Sequence, residues 1–384
     1  MTEWPDIDGV EPGFEPVRDQ FDEYIRTDPT FSAQLVAIWK GRPIVDLAGG
    51  PDLDKNSLTG VFSVSKGVAA IAFSRLVDTG AISLSAPIAH YWPEFGLHGK
   101  GEILVRELLS HQAGLVNSSP PLTGEDVIDS ERAAAKLAES HPIWRPGSSF
   151  GYHGLTIGVF MEELVRRVTG DTLQQLYELD VRAPRDIDFY LGLPEAQDHR
   201  YRPVAPMVLT AEQQAEMAAA APPPDGLMAL ALDTLPGGGS AAAAVFPHSQ
   251  QGRRAGFSAV GGVGSARGIA SVYAAALGQW GKPLCRPSTL RDMTTELVFG
   301  IDRVLTMQMA FATVFMKPQP RIPFGSYLAF GHDGMGGALG FADPMYDLAF
   351  GYIPLPMQYP GGADARAIEL SAIVRSCIRS ESKR

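Results

Sequence analysis

Apolar residues in this chain recur at helical spacing in some stretches and as short β-rich runs in others, and the two patterns are laid out unevenly along it. Val17, Phe21, Tyr24 and Ile25 predict an amphipathic helix over residues 16–27. Residues 34–39 and 44–47 are β-rich runs about Lys40-Gly41, the signature of a hairpin. Val68, Ile71, Ala72 and Leu76 return to helical spacing over 64–77, and Gly80 supplies the stop. Further helices are expected over 105–109, 131–139, 155–168, 173–179 and 266–277. Four short β-rich runs follow at 307–315, 327–330, 338–341 and 348–353, with Pro344 marking a turn between the last two. Leu370, Ile373, Val374 and Cys377 close the chain on an apolar helical face.

Strands at both ends with helices between them predict an α/β fold in which the two termini build one antiparallel sheet flanked by helices. Residues 1–85 and 257–384 would form that discontinuous sheet domain, and 86–256 an inserted helical lobe. Within the lobe, 203–256 breaks every long period through Pro222-Pro223-Pro224, Gly237-Gly238-Gly239 and Ala241 to Ala244, and is expected to be an irregular cap. No internal repeat is present.

Composition narrows the function classes. Only 20% of the residues are charged and the formal net charge is −11, so a phosphate-tracking surface and a nucleic-acid partner are not expected. The start, MTEWPDIDGV, lacks the basic and apolar regions of an export signal, and no uncharged apolar stretch approaches the roughly 20 residues of a membrane helix. The expectation is a cytoplasmic protein with no membrane partner. Cys285 and Cys377 are too few and too far apart for a disulfide framework or a thiolate metal cage.

The chemistry concentrates in three segments. Ser63-Val64-Ser65-Lys66 stands where the second predicted helix begins. A helix places residues three apart on one face, so Lys66 reaches the Ser63 hydroxyl, and the positive helix end favours a developing alkoxide. Lys66 becomes a base near neutral pH only if burial or a nearby cation lowers its pKa, and the apolar run behind it supplies burial. The pattern alone is weak, since Ser380-Glu381-Ser382-Lys383 repeats it in the charged tail. The second segment is Trp144-Arg145-Pro146-Gly147 followed by Tyr152-His153-Gly154; a phenol beside a lysine can share proton transfer with it. The same stretch holds a decoy, Gly147-Ser148-Ser149-Phe150-Gly151, which fits a nucleophile elbow but lacks the buried strand that should precede it. The third is Gly331-His332-Asp333-Gly334-Met335-Gly336-Gly337, whose glycines allow close approach of a ligand to backbone. There the Met335 amide is expected to pair with that of Ser63 as an oxyanion hole. His332 is favoured for a site role over a plain strand-end histidine.

Together with the stretch from Leu108 to Leu115, which contains Ser110-His111-Gln112, these segments resemble the serine β-lactamase-like esterases, the family VIII carboxylesterases related to class C β-lactamases and D-alanyl-D-alanine peptidases. The resemblance covers most of 15–380 and is weak over 203–256. It implies a β-lactamase/penicillin-binding-protein-like fold with the site between sheet domain and helical lobe. It implies Ser63 as nucleophile, Lys66 and Tyr152 as the base pair, the Ser63 and Met335 amides as oxyanion donors, and a structural turn around His111. His332, Asp333, Gly334 and His153 are expected to contact substrate.

Two departures bear on substrate. Class C β-lactamases carry Tyr-x-Asn, whereas position 154 is Gly and the pattern occurs nowhere in the chain. Their Lys-Thr-Gly is replaced by His332-Asp333-Gly334, and an aspartate there would repel a substrate carboxylate. Neutral acyl substrates fit better than penicillins or D-Ala-D-Ala peptides. Asp52, Asp54 and Asn56 hint at a calcium loop, but Ser57 replaces the required glycine, and His-Glu-x-x-His is absent. No metal and no cofactor are expected.

The leading expectation is a serine hydrolase of small-molecule carboxylic esters acting through an acyl-enzyme, with 203–256 walling an apolar acyl or alcohol pocket. An acyltransferase or peptide-cyclising enzyme would use the same site with another acceptor, and a non-catalytic binding protein would not need Ser63, Lys66 and Tyr152 together. Oligomeric state and natural substrate are not legible in the sequence.

Overall fold

The hairpin forms where expected, with strands Ser32–Trp39 and Arg42–Gly49 joined through Lys40 (φ 50°) and Gly41 (φ 77°). Two successive left-handed residues match the twist of the strands they join. In this computed structural model, which describes residues 4, 7, 9–123, 126, 128–223, 225–232 and 248–383, the hairpin is one edge of a five-stranded antiparallel sheet. Its order is Arg42–Gly49, Ser32–Trp39, Leu348–Leu355, Leu339–Asp343, Phe330–Asp333, so the two ends of the chain meet at its centre, with Ser32 opposite Leu355 and Trp39 opposite Leu348.

Both faces of the sheet are covered, which explains why the central strand Leu348–Leu355 is buried at every position. Side chains of alternate parity divide between two cores. Ala33, Leu35 and Ala37 pack with Val17 and Phe21 of the helix Glu15–Thr27 and with Leu370 and Val374 of the helix Ala365–Glu381. Val36 and Ile38 face the opposite layer, with Val68 of the helix Val64–Asp78 and Ile269 of the helix Ala266–Ala276. That second core continues into the helical region through Leu108, Leu137, Phe160 and Val165.

Helices Val105–Leu109, Ser130–Glu139, Thr156–Thr169 and Leu173–Tyr177 lie where the apolar spacing predicts them. Several elements differ from expectation. The run at 327–330 pairs only from Phe330 onward, and that at 307–315 only over Gln308–Phe311, against an unforeseen strand Val298–Ile301. A helix Pro287–Thr294 starts on its proline, which needs no N–H partner there. A small sheet joins Thr59–Gly60, Val263–Gly264 and Phe189–Tyr190 just before the predicted nucleophile.

The described part of 203–256 is more regular than composition implies, with short helices Ala211–Ala219, Leu227–Leu232 and Gln250–Ala255. Thr210 and Gln213 cap the first reciprocally, each side chain bonded to the other's backbone N–H. Pro224, Gly237 to Gly239 and Ala241 to Ala244 lie outside the described residues, as does most of the acidic N-terminal start. Met357 donates its backbone N–H to Ala205 (2.9 Å) and Tyr359 bonds Glu216, which straps the beginning of this segment to the turn after the central strand. Among the described residues no helix is long and apolar enough to cross a membrane.

Candidate active site

Ser63 is the residue from which the helix Val64–Asp78 departs, and Phe62 before it holds a left-handed φ of 49°. Such a conformation is costly for a bulky residue and persists only where packing fixes it. The Phe62 ring is 2% exposed, and Gly336 lies where any β-carbon would stand 3.0 Å from that ring. The strained step presents Ser63 half-buried at the helix start while Val64, Ser65 and Lys66 behind it are buried.

Lys66 is fully buried, and its Nζ lies 2.9 Å from Ser63 Oγ and 2.7 Å from the carbonyl of Ala259, to which it donates. Burial in this apolar helix pulls its pKa well below the ordinary lysine range, opposed by the more distant Asp333. With one N–H spent on Ala259, a neutral Lys66 can aim its lone pair at Ser63. Tyr152 approaches from the other side, its hydroxyl 3.0 Å from Ser63 Oγ. Burial pushes the phenol above its usual value, so the resting group is neutral. Ser63, Lys66 and Tyr152 are thus brought together at a single oxygen.

Tyr152 is held by backbone rather than by helix. Its N–H donates to Asp302 Oδ1 (3.1 Å), which also accepts from Val304 and Leu305 (both 2.8 Å). His111, itself buried with φ 67°, accepts the N–H of His153 on Nδ1 at 3.1 Å. Asp302 and Ala259 went unremarked in the sequence. Asp302 carried a faint signal, an aspartate after a β-rich run able to accept the amides beyond it. Ala259 contributes only a carbonyl, and no side-chain pattern announces that.

The strand Phe330–Asp333, which runs into Gly334-Met335-Gly336-Gly337, brings the next residues to the same place. A β-carbon on Gly334 would lie 2.3 Å from the carbonyl of Val61, so this glycine permits contact between the two backbones flanking the nucleophile. Among the described residues, neither the Ser63 nor the Met335 N–H donates to a protein acceptor. Ser63, Tyr152 and Met335 are the half-buried positions of the cluster.

The three other residues expected to contact substrate, His153, Asp333 and His332, are all buried. His153 is fully buried, its Nδ1 donating to Gly151 (2.7 Å) and its Nε2 accepting from Leu115 (3.0 Å); burial lowers its pKa to about 4. Both ring nitrogens are engaged by backbone, so it ties two loops together. The carboxylate of Asp333 accepts the Ala363 N–H (2.9 Å) and lies beside Gly362 and Arg321. His332 is 1% exposed, donates Nδ1–H to the Asp333 carbonyl (2.7 Å), and sets its ring 6.1 Å from that of Tyr152. Burial lowers its pKa to about 3, so it stays neutral and adds no charge beside Lys66.

The decoy dissolves, because Gly147-Ser148-Ser149-Phe150-Gly151 is an irregular turn with no strand before it, and Ser148 bonds back to Arg145. Cys285 and Cys377 are free thiols. Among the described residues no group of three or more His, Cys, Asp or Glu is arranged to hold a metal ion.

Comparison with known proteins places this geometry among relatives. The Beta-lactamase family model matches residues 19–367. The Esterase/beta-lactamase LipL of Mycobacterium tuberculosis is 33% identical over 339 residues, covering 83% of this chain and 73% of LipL. Among solved structures, EstA from Arthrobacter nitroguajacolicus Rue61a superposes with a TM-score of 0.89 at 44% identity, over 98% of this chain and 100% of EstA. A family VIII carboxylesterase superposes at 0.83 with 30% identity, over 97% of this chain and 100% of the other.

Proposed function

Because the chain belongs to the beta-lactamase family, we propose that it is a carboxylesterase working through an acyl-enzyme on Ser63. The observation carrying this reading is the convergence of a buried, pKa-lowered Lys66 and a neutral Tyr152 on Ser63 Oγ at 2.9 and 3.0 Å. The names of LipL, an esterase/beta-lactamase, and of the family VIII carboxylesterase support the same class.

In this mechanism neutral Lys66 takes the Ser63 proton as Oγ attacks the ester carbonyl, and the carbonyl oxygen gathers charge between the Ser63 and Met335 amides. Tyr152 passes its hydroxyl proton to the departing alkoxide and is reprotonated from the Lys66 ammonium, so the alcohol leaves neutral. Water then enters, gives its proton to the same pair, and releases the acid and free Ser63. Each well-placed proton-transfer group contributes about 10²- to 10⁴-fold, and each oxyanion donor about 10²- to 10³-fold. Esters suit the site better than lactams because Gly154 offers no side-chain amide and His332 stays uncharged.

Intact-mass spectrometry after brief exposure to a fluorophosphonate and to p-nitrophenyl acetate tests the assignment. One adduct per chain, lost in Ser63→Ala and retained in Ser149→Ala, is the expected result. An adduct that survives Ser63→Ala rejects it.

A further inference from the structure

The helix Leu227–Leu232 has the sequence LMALAL, with no polar side chain, yet only Ala231 is buried and the other residues are half-exposed. A six-residue helix has too few internal bonds to stand alone, and this one is held from outside. Asn117, 7% exposed, donates Nδ2–H to the carbonyl of Leu230 at 2.6 Å. Its Oδ1 accepts the N–H groups of Ser118 (2.8 Å) and Leu122 (3.0 Å). The side chain is therefore fixed at both ends and clamps the helix to the loop that follows Leu115.

The clamp sets the helix against the reacting groups. Leu227, Met228 and Leu230 pack in one cluster with Tyr152, Trp144, Val116 and Val304. A β-carbon on Gly154 would lie 3.4 Å from the Tyr152 ring and 3.6 Å from Leu232 Cδ2. Leu232 thus stands where a longer side chain at 154 would project, beside the tyrosine that touches Ser63 Oγ.

We propose that Leu227–Leu232 is the specificity wall of the site, with Leu232 contacting a hydrocarbon substituent of the ester and Asn117 positioning the wall. This deepens the esterase reading and rests on it. The part-exposed apolar side chains next to Tyr152 gain by covering a neutral chain, and Leu232 offers no hydrogen bond to an amide or carboxylate.

The test measures kcat/KM on p-nitrophenyl acetate, butyrate and octanoate, and on acetate esters of methyl, butyl and hexyl alcohols. Wild type is compared with Leu232→Asn, Asn117→Ala and, as a surface control, Leu97→Asn. Buried methylenes are each worth about 4-fold, so wild type is expected to favour longer chains in one series, which identifies the substituent as acyl or alcohol. Leu232→Asn should lower that long-to-short ratio about 10-fold, Asn117→Ala about 3-fold, and Leu97→Asn not at all. The Asn117→Ala change should fall mainly on KM for the long ester, as expected of lost positioning of a binding wall. Fluorophosphonate stoichiometry at Ser63 verifies that each variant is folded. A wild type indifferent to length in both series, or a ratio unchanged by Leu232→Asn, overturns the proposal while leaving the esterase reading intact. Absence of ester hydrolysis in wild type overturns the esterase reading instead, and hydrolysis that survives Ser63→Ala overturns the assignment of Ser63.

Discussion

Two segments share one tetrapeptide pattern, and only one is set in a site. Ser63-Val64-Ser65-Lys66 opens the helix Val64–Asp78, where the helix dipole presents its positive end, with Lys66 wholly buried. Ser380-Glu381-Ser382-Lys383 runs off the end of the helix Ala365–Glu381, with Ser380 and Lys383 exposed and the Ser380 hydroxyl bonded back to Ser376 at 3.2 Å. The end of the helix and the depth of the lysine separate them. The negative end of a helix disfavours an alkoxide.

The sharpest way to break this comparison is to delete both serines. Ser63→Ala should lower ester hydrolysis by about 10⁴-fold or more, whereas Ser380→Ala should leave it within about 2-fold, measured as p-nitrophenol release. Equal losses would show that position along a helix carries no weight.

The lysines give the next largest contrast. Lys66→Met should lower kcat by about 10²- to 10⁴-fold and Lys383→Met should not change it. The two should also differ in stability. The folded pKa of Lys66 is depressed, so between that value and the ordinary lysine range the unfolded chain binds a proton that the folded chain does not. Stability therefore rises with pH across this window, and at neutral pH the buried amine costs stability. Lys66→Met removes that cost and should raise Tm by roughly 2–4 °C, while Lys383→Met leaves Tm unchanged in a thermal scan. The same shift governs rate. In wild type kcat/KM should be lost as pH falls through the depressed Lys66 pKa. His332 and His153, lowered to about 3 and 4, are already neutral above that range, so His332→Gln should leave the midpoint of the acid limb in place.

Tyr152→Phe comes next, with an expected loss of about 10²-fold in kcat. The fluorophosphonate should still label Ser63, because its fluoride leaving group needs less protonation than an alkoxide. Comparable losses in labelling and in turnover would place Tyr152 in nucleophile activation alone.

How much of this was legible in the sequence follows the kind of signal each part carries. The sheet built from both termini was visible because the β-rich runs at its ends match its two faces. The cluster at Ser63 was visible because Lys66 sits one helical turn along, a spacing with a geometric meaning. The backbone contacts of His153 and Asp333 were not legible, because neighbours in sequence to a site residue need not face the same way. The ring nitrogens of His153 are claimed by Gly151 and Leu115, and the carboxylate of Asp333 by Ala363. The helix Ala211–Ala219 was hidden by the proline- and alanine-rich composition around it, although its Thr210–Gln213 capping box was in the sequence. Ala259 was unreadable because a carbonyl carries no residue identity.

Asp302 makes the smallest predicted change and tests what the tail copy lacks, a partner held in place from outside the tetrapeptide. One carboxylate oxygen accepts the N–H groups of Tyr152, Val304 and Leu305, and burial raises the pKa of the acid. Asp302→Ala strands three buried or half-buried amides, each costing about 1–3 kcal/mol when unpaired, and frees the Tyr152 backbone. Asp302→Asn keeps an acceptor oxygen at the same place and removes a charge that burial disfavours. The expected result is a fall in kcat of about 10-fold for Asp302→Ala, with KM little changed and most of the rate restored in Asp302→Asn. A merely structural role would lower Tm in Asp302→Ala while kcat per labelled Ser63 stayed at the wild-type value. Loss of kcat per labelled serine would instead show that the Tyr152 hydroxyl keeps its 3.0 Å approach to Ser63 only because Asp302 holds the backbone beneath it.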